Sequence, residues 1–217
     1  MEPRRSNASS PDRAAALAQY RRRARIYDLE LALLEPVRRR AVSLLSPSPG
    51  ATVLDVGCGT GLSFELLQSA LGPGGHIVGI EQSPEMIEQA RRRVDEHRWR
   101  NVRLVNAPVE EAAIRARADA ALFHFTHDIL RAPGAVANVV AHLKPGARVV
   151  ACGLQWSRRW ALPVNLAVLA AARHSVSTLE GLRAPWSHLA DRLGPLRVET
   201  TMLGAVFIAS GTLARRR

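Results

Sequence analysis

The residues of this chain best suited to chemistry lie around one short segment. Val53-Leu54-Asp55-Val56 is an apolar run that contains an acid, and Gly57-Cys58-Gly59-Thr60-Gly61 follows with a glycine at every second position. Glycine tolerates backbone angles that other residues avoid and lets the main chain approach a ligand closely. Glu81 stands immediately after a second apolar run, Ile77-Val78-Gly79-Ile80. In doubly wound nucleotide-binding folds, an acid at that strand end accepts hydrogen bonds from two ribose hydroxyls. A dinucleotide loop would read G-x-G-x-x-G, but Leu62 stands where the third glycine is needed. An anion at Asp55 would also repel a pyrophosphate. It suits instead a nucleoside cofactor that carries an amino group and a sulfonium.

A second cluster is His124-Phe125-Thr126-His127-Asp128. Histidine is the side chain best poised near neutral pH, so His127 is the candidate general base. The competing reading makes His127 and Asp128 a helix start, with Asp128 favourable to the dipole. His124 and Phe125 read as pocket wall.

These residues need a scaffold, and the hydrophobic pattern supplies one. Residues 1–12 read as a tail, and 13–46 as a helical cap in which Pro36 breaks or restarts the helix. Strands are expected at 51–56, 76–80, 102–105, 119–125 and 147–152. Helices are expected at 62–71, from Ser83-Pro84-Glu85 to about Glu96, and at 132–143. Strand alternating with helix is the pattern of a parallel, doubly wound α/β sheet. Segment 154–193 reads as a variable lid. Strands at 196–203 and 205–210, separated only by Gly204, must pair antiparallel, giving a hairpin over 195–211.

The chain has 217 residues, 47% of them hydrophobic, which fits a single domain over 13–217 with a substantial core. Its net charge is +11, from 30 Lys+Arg against 19 Asp+Glu. That balance raises the case for an acidic partner, but the arginines are spread in clusters such as Arg21 to Arg23, Arg38 to Arg40 and Arg91 to Arg93, which read as solvated helix faces. The two cysteines, Cys58 and Cys152, are too few for a disulfide framework. The amino end lacks the apolar core of a signal peptide, and no run reaches the roughly 18 apolar residues of a membrane span. A cytoplasmic protein is the expectation, with peripheral membrane contact as an addition. No metal site is expected.

Taken together, VLDVGCGTG, HIVGIEQSPEMIEQARRR, NVRLVNAPVEE, ADAALFHF and LKPGARVV resemble the motifs of the class I S-adenosylmethionine (AdoMet)-dependent methyltransferases, closely over about residues 50–153. The resemblance implies a Rossmann-like, mostly parallel seven-stranded sheet with a C-terminal antiparallel hairpin strand and AdoMet as cofactor. It implies that Asp55 and the loop Gly57, Cys58, Gly59 and Gly61 hold the methionine part. Glu81 would bind the ribose, and Gln82 and Met86 would edge the adenine. The family often places Asp where this chain has Pro108, so adenine recognition would fall to the backbone at Pro108 and Val109. Tyr27 is similar to a tyrosine that quinone and phospholipid methyltransferases place near the cofactor's methionine end.

The acceptor is read less directly. Nucleic-acid amino methyltransferases carry [Asn/Asp/Ser]-Pro-Pro-[Tyr/Phe] after the fourth strand, whereas His124 to His127 contain no proline. Trp156, Trp160 and the run 162–172, with Arg158 and Arg159 at their edge, suit a small lipophilic acceptor or a membrane interface. An ordinary lid helix packed on the core is the alternative. The expected function is methylation of a small, lipophilic or membrane-associated molecule. The alternatives are an RNA methyltransferase and a non-catalytic AdoMet-binding protein.

Overall fold

A computed structural model describes residues 34–157, 161, 164–166, 168–169 and 181–215. Tyr27, Trp160, Arg158, Arg159, most of the expected cap and part of the expected lid lie outside the described residues.

Helix α1 (Glu35–Leu45) opens the described chain, with Pro36 in its first turn. Proline costs nothing there because its missing N–H would have no partner in the helix, so Pro36 starts this helix. Strand β1 (Thr52–Val56) follows, then α2 (Phe64–Leu71), β2 (His76–Glu81), α3 (Pro84–Glu96) and β3 (Val102–Asn106). Ser83 caps α3, its hydroxyl accepting the Met86 N–H at 3.3 Å. A 3-10 turn (Val109–Glu111) leads to β4 (Ala118–His124), the short α4 (His127–Leu130) and α5 (Pro133–Ala141). Strand β5 (Leu143–Leu154), α6 (Ser187–Leu193), β6 (Arg197–Thr201) and β7 (Val206–Thr212) complete the order.

The seven strands form one sheet in the order β3-β2-β1-β4-β5-β7-β6. Strands β1 to β5 run parallel, and β7 pairs antiparallel with both β5 and β6. This is the doubly wound sheet with a terminal hairpin that the sequence led us to expect. Most boundaries shift by one or two residues, and two differences change a connection. The link between β6 and β7 is longer than Gly204 alone: Met202–Gly204 form a 3-10 turn before Ala205. Lys144, Pro145 and Gly146 lie within β5 rather than ahead of it. The pairing jumps there from Ala118↔Leu143 to Ala120↔Arg148, and Gly146 takes φ +86°. Lys144 is held at 2.7 Å by Asp119, which also accepts the Thr52 N–H.

Side chains on a strand alternate between the two faces of the sheet. Leu54, Val56, Ala121, Phe123, Val149 and Ala151 face a core shared with α5 and α6. Val53, Ala120, Leu122, Val150 and Cys152 face the other core, shared with α1, α2 and α3. By the same alternation, Asp55 and His124 share the α1 face, at the carboxyl ends of neighbouring strands.

Candidate functional site

The carboxyl edge of β1, β2 and β4 opens into a cleft of about 690 Å³. Gly57, Gly59, Glu81, Gln82, Met86 and Val109 line one part of it. His124, Phe125, Thr126, His127, Asp128, Ile129 and Glu110 line the rest. Sequences in this fold bind ligands at this edge because the strand order reverses there, between β1 and β4.

The glycine loop takes its shape from close contacts. Gly57, Gly59 and Gly61 have φ of +69°, +55° and +79°. A Cβ on Gly57 would lie 2.5 Å from Thr126 Cγ2 and 2.8 Å from Ile129 Cδ1, and one on Gly61 would lie 2.6 Å from the Phe64 ring. The N–H groups of Gly57 and Cys58 both donate to the Ile80 carbonyl, at 2.8 and 3.0 Å, which fastens the loop to β2. Cys58 is buried, and its sulfur fills the space beside Gly79, where a Cβ would come within 2.9 Å.

Glu81 is buried at the end of β2. Its carboxylate accepts the N–H of Gly59 at 3.2 Å and of Ser83 at 2.8 Å. Burial raises its pKa, against the pull of the backbone N–H groups of Ser83, Gly59 and Gln82.

A smaller recess continues from the loop towards α1. Arg38, Asp55, Gly57, Cys58, Gly59, Thr60 and His124 are among its lining residues. Arg38 and Asp55 are only 2% and 1% exposed. Burial pushes Asp55 up to about 7, opposed by the Arg38 guanidinium and aided by Glu81. Burial, with the charge of Arg38, holds His124 down at about 3. His124 is therefore neutral at physiological pH.

A third, mostly apolar niche lies on the β5–β7 side. Phe125, Leu130, Cys152, Gly153, Leu154 and Phe207 line it together with His127. Phe125 and His127 thus border both this niche and the main cleft. His127 is the first residue of α4 and is buried, so the helix start and the cleft wall are the same place. Phe125 adopts φ +57°, a left-handed backbone that costs a non-glycine residue about 1–2 kcal/mol.

The structure thus brings together Gly57, Gly59, Glu81, Gln82, Met86, Val109, His124, Phe125 and His127 around one cleft. Asp55 and Cys58 line the adjoining cavity. Gly61 shapes the loop from behind, and Pro108 caps the 3-10 turn, its carbonyl accepting the Glu111 N–H, without lining the cleft. Sequence reasoning missed Arg38, Ile129 and Glu110, and named Thr126 and Asp128 only as members of the cluster after the fourth strand. In the sequence Arg38 groups with Arg39 and Arg40 as a solvated face. The latter two are exposed; Arg38 is buried. The available signal was helical spacing, since Arg38 falls with Val42 and Leu45 on the apolar stripe of α1.

The site's chemistry fits a zwitterionic nucleoside. The main cleft offers a buried carboxylate for a ribose and an apolar slot at Met86 and Val109 for a base. Among the described residues, buried polar atoms of Arg38 and Asp55 Oδ2 beside the adjoining cavity have no hydrogen-bond partner. Among the described residues, no group of three or more His, Cys, Asp or Glu side chains could hold a metal ion.

Residues 53–146 match the family described as methyltransferase domain. The chain is 33% identical over 154 residues to a demethylmenaquinone methyltransferase of Tropheryma whipplei, covering 66% of this chain and 61% of that protein. It is 34% identical over 111 residues to a protein-L-isoaspartate O-methyltransferase of Aeropyrum pernix, covering 51% and 42%. The matches therefore span less than two thirds of these relatives' lengths. A crystal structure of a geranyl diphosphate C-methyltransferase from Streptomyces coelicolor shares the fold, with a TM-score of 0.66 and 19% identity over 95% of this chain and 90% of that one. The glycine loop, the acid at the end of β2 and the family match make residues 53–146 a methyltransferase domain of the class I, AdoMet-dependent kind.

Proposed function

We propose that the protein transfers a methyl group from AdoMet to a small, lipophilic acceptor. The observation that carries this reading is the junction of two spaces, a cleft of mixed lining that holds a buried acid and a mostly apolar niche, meeting at Phe125 and His127. In it, Glu81 takes the ribose hydroxyls, while Gln82, Met86 and Val109, with Pro108 behind, flank the adenine. The backbone of Gly57 and Gly59 borders the methionine chain. Tyr27 is assigned to the methionine end by resemblance alone.

When bound, AdoMet supplies a methyl group made electrophilic by its sulfonium. The chain's part is alignment, since holding donor and acceptor in line supplies much of the rate of such a displacement. His127 would take the acceptor's proton where that atom carries one of high pKa. Neutral His124 and Phe125 wall the place where methyl passes.

The lipophilic acceptor is supported by the niche, where Leu130, Leu154, Phe125 and Phe207 leave His127 as the polar side chain, and by the likeness to a demethylmenaquinone methyltransferase. No helix among the described residues is long and apolar enough to cross a membrane. Peripheral contact through the lid remains part of the proposal. The test is transfer of labelled methyl from AdoMet to separate pools of hydroquinones, phenols, protein and RNA. Label in a hydroquinone or phenol pool supports the reading; label confined to protein or RNA overturns the acceptor class.

A further inference from the structure

Among the described residues, the large apolar side chains are buried or partly buried except at three positions. Leu166, Met202 and Leu203 are 65%, 43% and 82% exposed. They come from two segments far apart in sequence, and Ser157 joins those segments. Its N–H donates to Asn165 Oδ1 at 2.9 Å, and its hydroxyl donates to the Leu203 carbonyl at 2.7 Å. Leu166 is the chain neighbour of Asn165, so all three exposed positions gather about one residue.

The turn that carries Met202 and Leu203 is fastened through its backbone. Gln155 donates its N–H to the Ala205 carbonyl at 2.8 Å and its side-chain amide to the Gly204 carbonyl at 2.9 Å. Met202 and Leu203 take φ of +51° and +56°, the left-handed region that glycine or asparagine ordinarily fills in turns. Two bulky apolar residues are therefore held in the open on a backbone that disfavours them, and strain of this kind gathers at functional places.

Strand β7 begins at Val206, which pairs with Leu154 at the end of β5. The turn thus stands at the carboxyl edge of the sheet, where Leu154 and Phe207 line the apolar niche. Charge in the adjoining chain is one-signed. No Asp or Glu occurs between Asp128 and Glu180, while Ser157 is followed by Arg158 and Arg159. Arg183 is exposed and follows Leu182, whose carbonyl accepts the Trp156 N–H at 2.9 Å. Three apolar side chains fall far short of the roughly 20–30 residues a side of a stable protein interface. A bilayer asks for less: a few apolar groups enter the headgroup layer while arginines meet anionic phosphates.

We propose that the β6–β7 turn and Leu166 dock on an anionic phospholipid bilayer, with Leu203 seated in the headgroup layer. This rests on the reading of a lipophilic acceptor and deepens it. The carboxyl edge then faces the phase in which such an acceptor dissolves, and the acceptor reaches the niche without crossing water.

Sedimentation of the full chain with vesicles tests the docking. One set is phosphatidylcholine alone; the other is phosphatidylcholine with an equal part of phosphatidylglycerol. The wild type should sediment with the anionic vesicles more than with the neutral ones, and salt should release part of it. Leu203→Gly should weaken that partition by roughly tenfold, the lower end of what burying a leucine contributes, and Leu166→Ser should weaken it in the same direction. Glycine suits the left-handed backbone at this position, so Leu203→Gly should fold at least as well as the wild type. Its methyl transfer to a water-soluble phenol should be unchanged. Absence of wild-type sedimentation on anionic vesicles, or sedimentation that neither variant reduces, would overturn the docking. A wild-type dimer that Leu203→Gly dissociates in size-exclusion chromatography would overturn it as well, since a second copy would then cover the patch. Vesicle binding that Leu203→Gly weakens, in a protein that labels no hydroquinone or phenol, supports the docking and overturns the acceptor reading alone.

Discussion

The carboxylate of Glu81 accepts the backbone N–H of Gly59 at 3.2 Å. The two halves of the sequence signature, glycine loop and following acid, are therefore joined by a hydrogen bond. Glu81→Ala should weaken AdoMet binding by roughly 1–3 kcal/mol, since ribose hydroxyls lose a charged acceptor. Glu81→Gln should keep the loop contact and recover part of that loss. Calorimetry on both variants checks this; an unchanged affinity in Glu81→Ala would place the ribose elsewhere.

Gly57 is the position where the loop has no room. Alanine there would set a Cβ within 2.5 Å of Thr126 and 2.8 Å of Ile129, and would hold φ near +69°. Overpacking costs about 1–3 kcal/mol, and the left-handed backbone adds about 1–2 kcal/mol. Gly57→Ala should unfold at lower denaturant concentration and lose cofactor affinity. A variant with wild-type stability and affinity would show that the loop has slack.

Asp55 gives a pH dependence whose sign can be worked out. Its folded value of about 7 lies above the ordinary 3.8. Between those values the ligand-free folded state binds the extra proton, so this group's contribution to stability is present below 3.8 and lost as pH rises towards 7. Asp55→Asn should remove that slope. An ammonium beside Asp55 favours the ionised form, so S-adenosylhomocysteine should bind more tightly as pH rises to about 7 and level off above it. 5′-Methylthioadenosine, which lacks the amino-acid head, should lack this dependence. Parallel pH profiles for the two ligands would contradict a methionine part beside Asp55.

His127→Ala separates base catalysis from alignment. As a general base, its loss should cut turnover by about 10²–10⁴-fold while AdoMet affinity barely moves. Turnover within about threefold of wild type, measured with the true acceptor, would remove His127 from the mechanism.

Both cysteines should be inert in the folded protein. Burial raises the Cys58 thiol well above its ordinary range and pushes Cys152 up to about 12. Thiols that stay protonated react slowly, so iodoacetamide at mildly alkaline pH should label neither until denaturant is added. Labelling of Cys58 in the native state would show that the glycine loop opens.

The parts that were legible in the sequence are those encoded locally. Asp55 through Gly61 is a contiguous run, and Glu81 follows a β-strand whose apolar pattern is unmistakable. Ser83-Pro84 announced the start of α3 because cap and first-turn proline are adjacent residues. The parts that were not legible depend on distant packing. Arg38 meets Asp55 and His124 only because α1 lies on the β4–β5 face, and in sequence it is one of three consecutive arginines. Thr126 becomes part of the site by filling the space that Gly57 leaves, a relation between two loops. The β5 irregularity at Lys144 to Gly146 falls between the helix expected at 132–143 and the strand expected at 147–152, because Pro-Gly signals a break equally well in either setting.

The central claim is that this cleft binds AdoMet and uses it. One measurement tests it most directly: titration of the purified chain with AdoMet, followed in the same sample by assay of labelled methyl transfer into a hydroquinone and phenol pool. The account predicts saturable one-to-one binding that Glu81→Ala weakens, together with label in the pool and formation of S-adenosylhomocysteine. Absence of saturable binding would contradict the cofactor site, and binding without transfer to any acceptor pool would contradict the enzymatic claim.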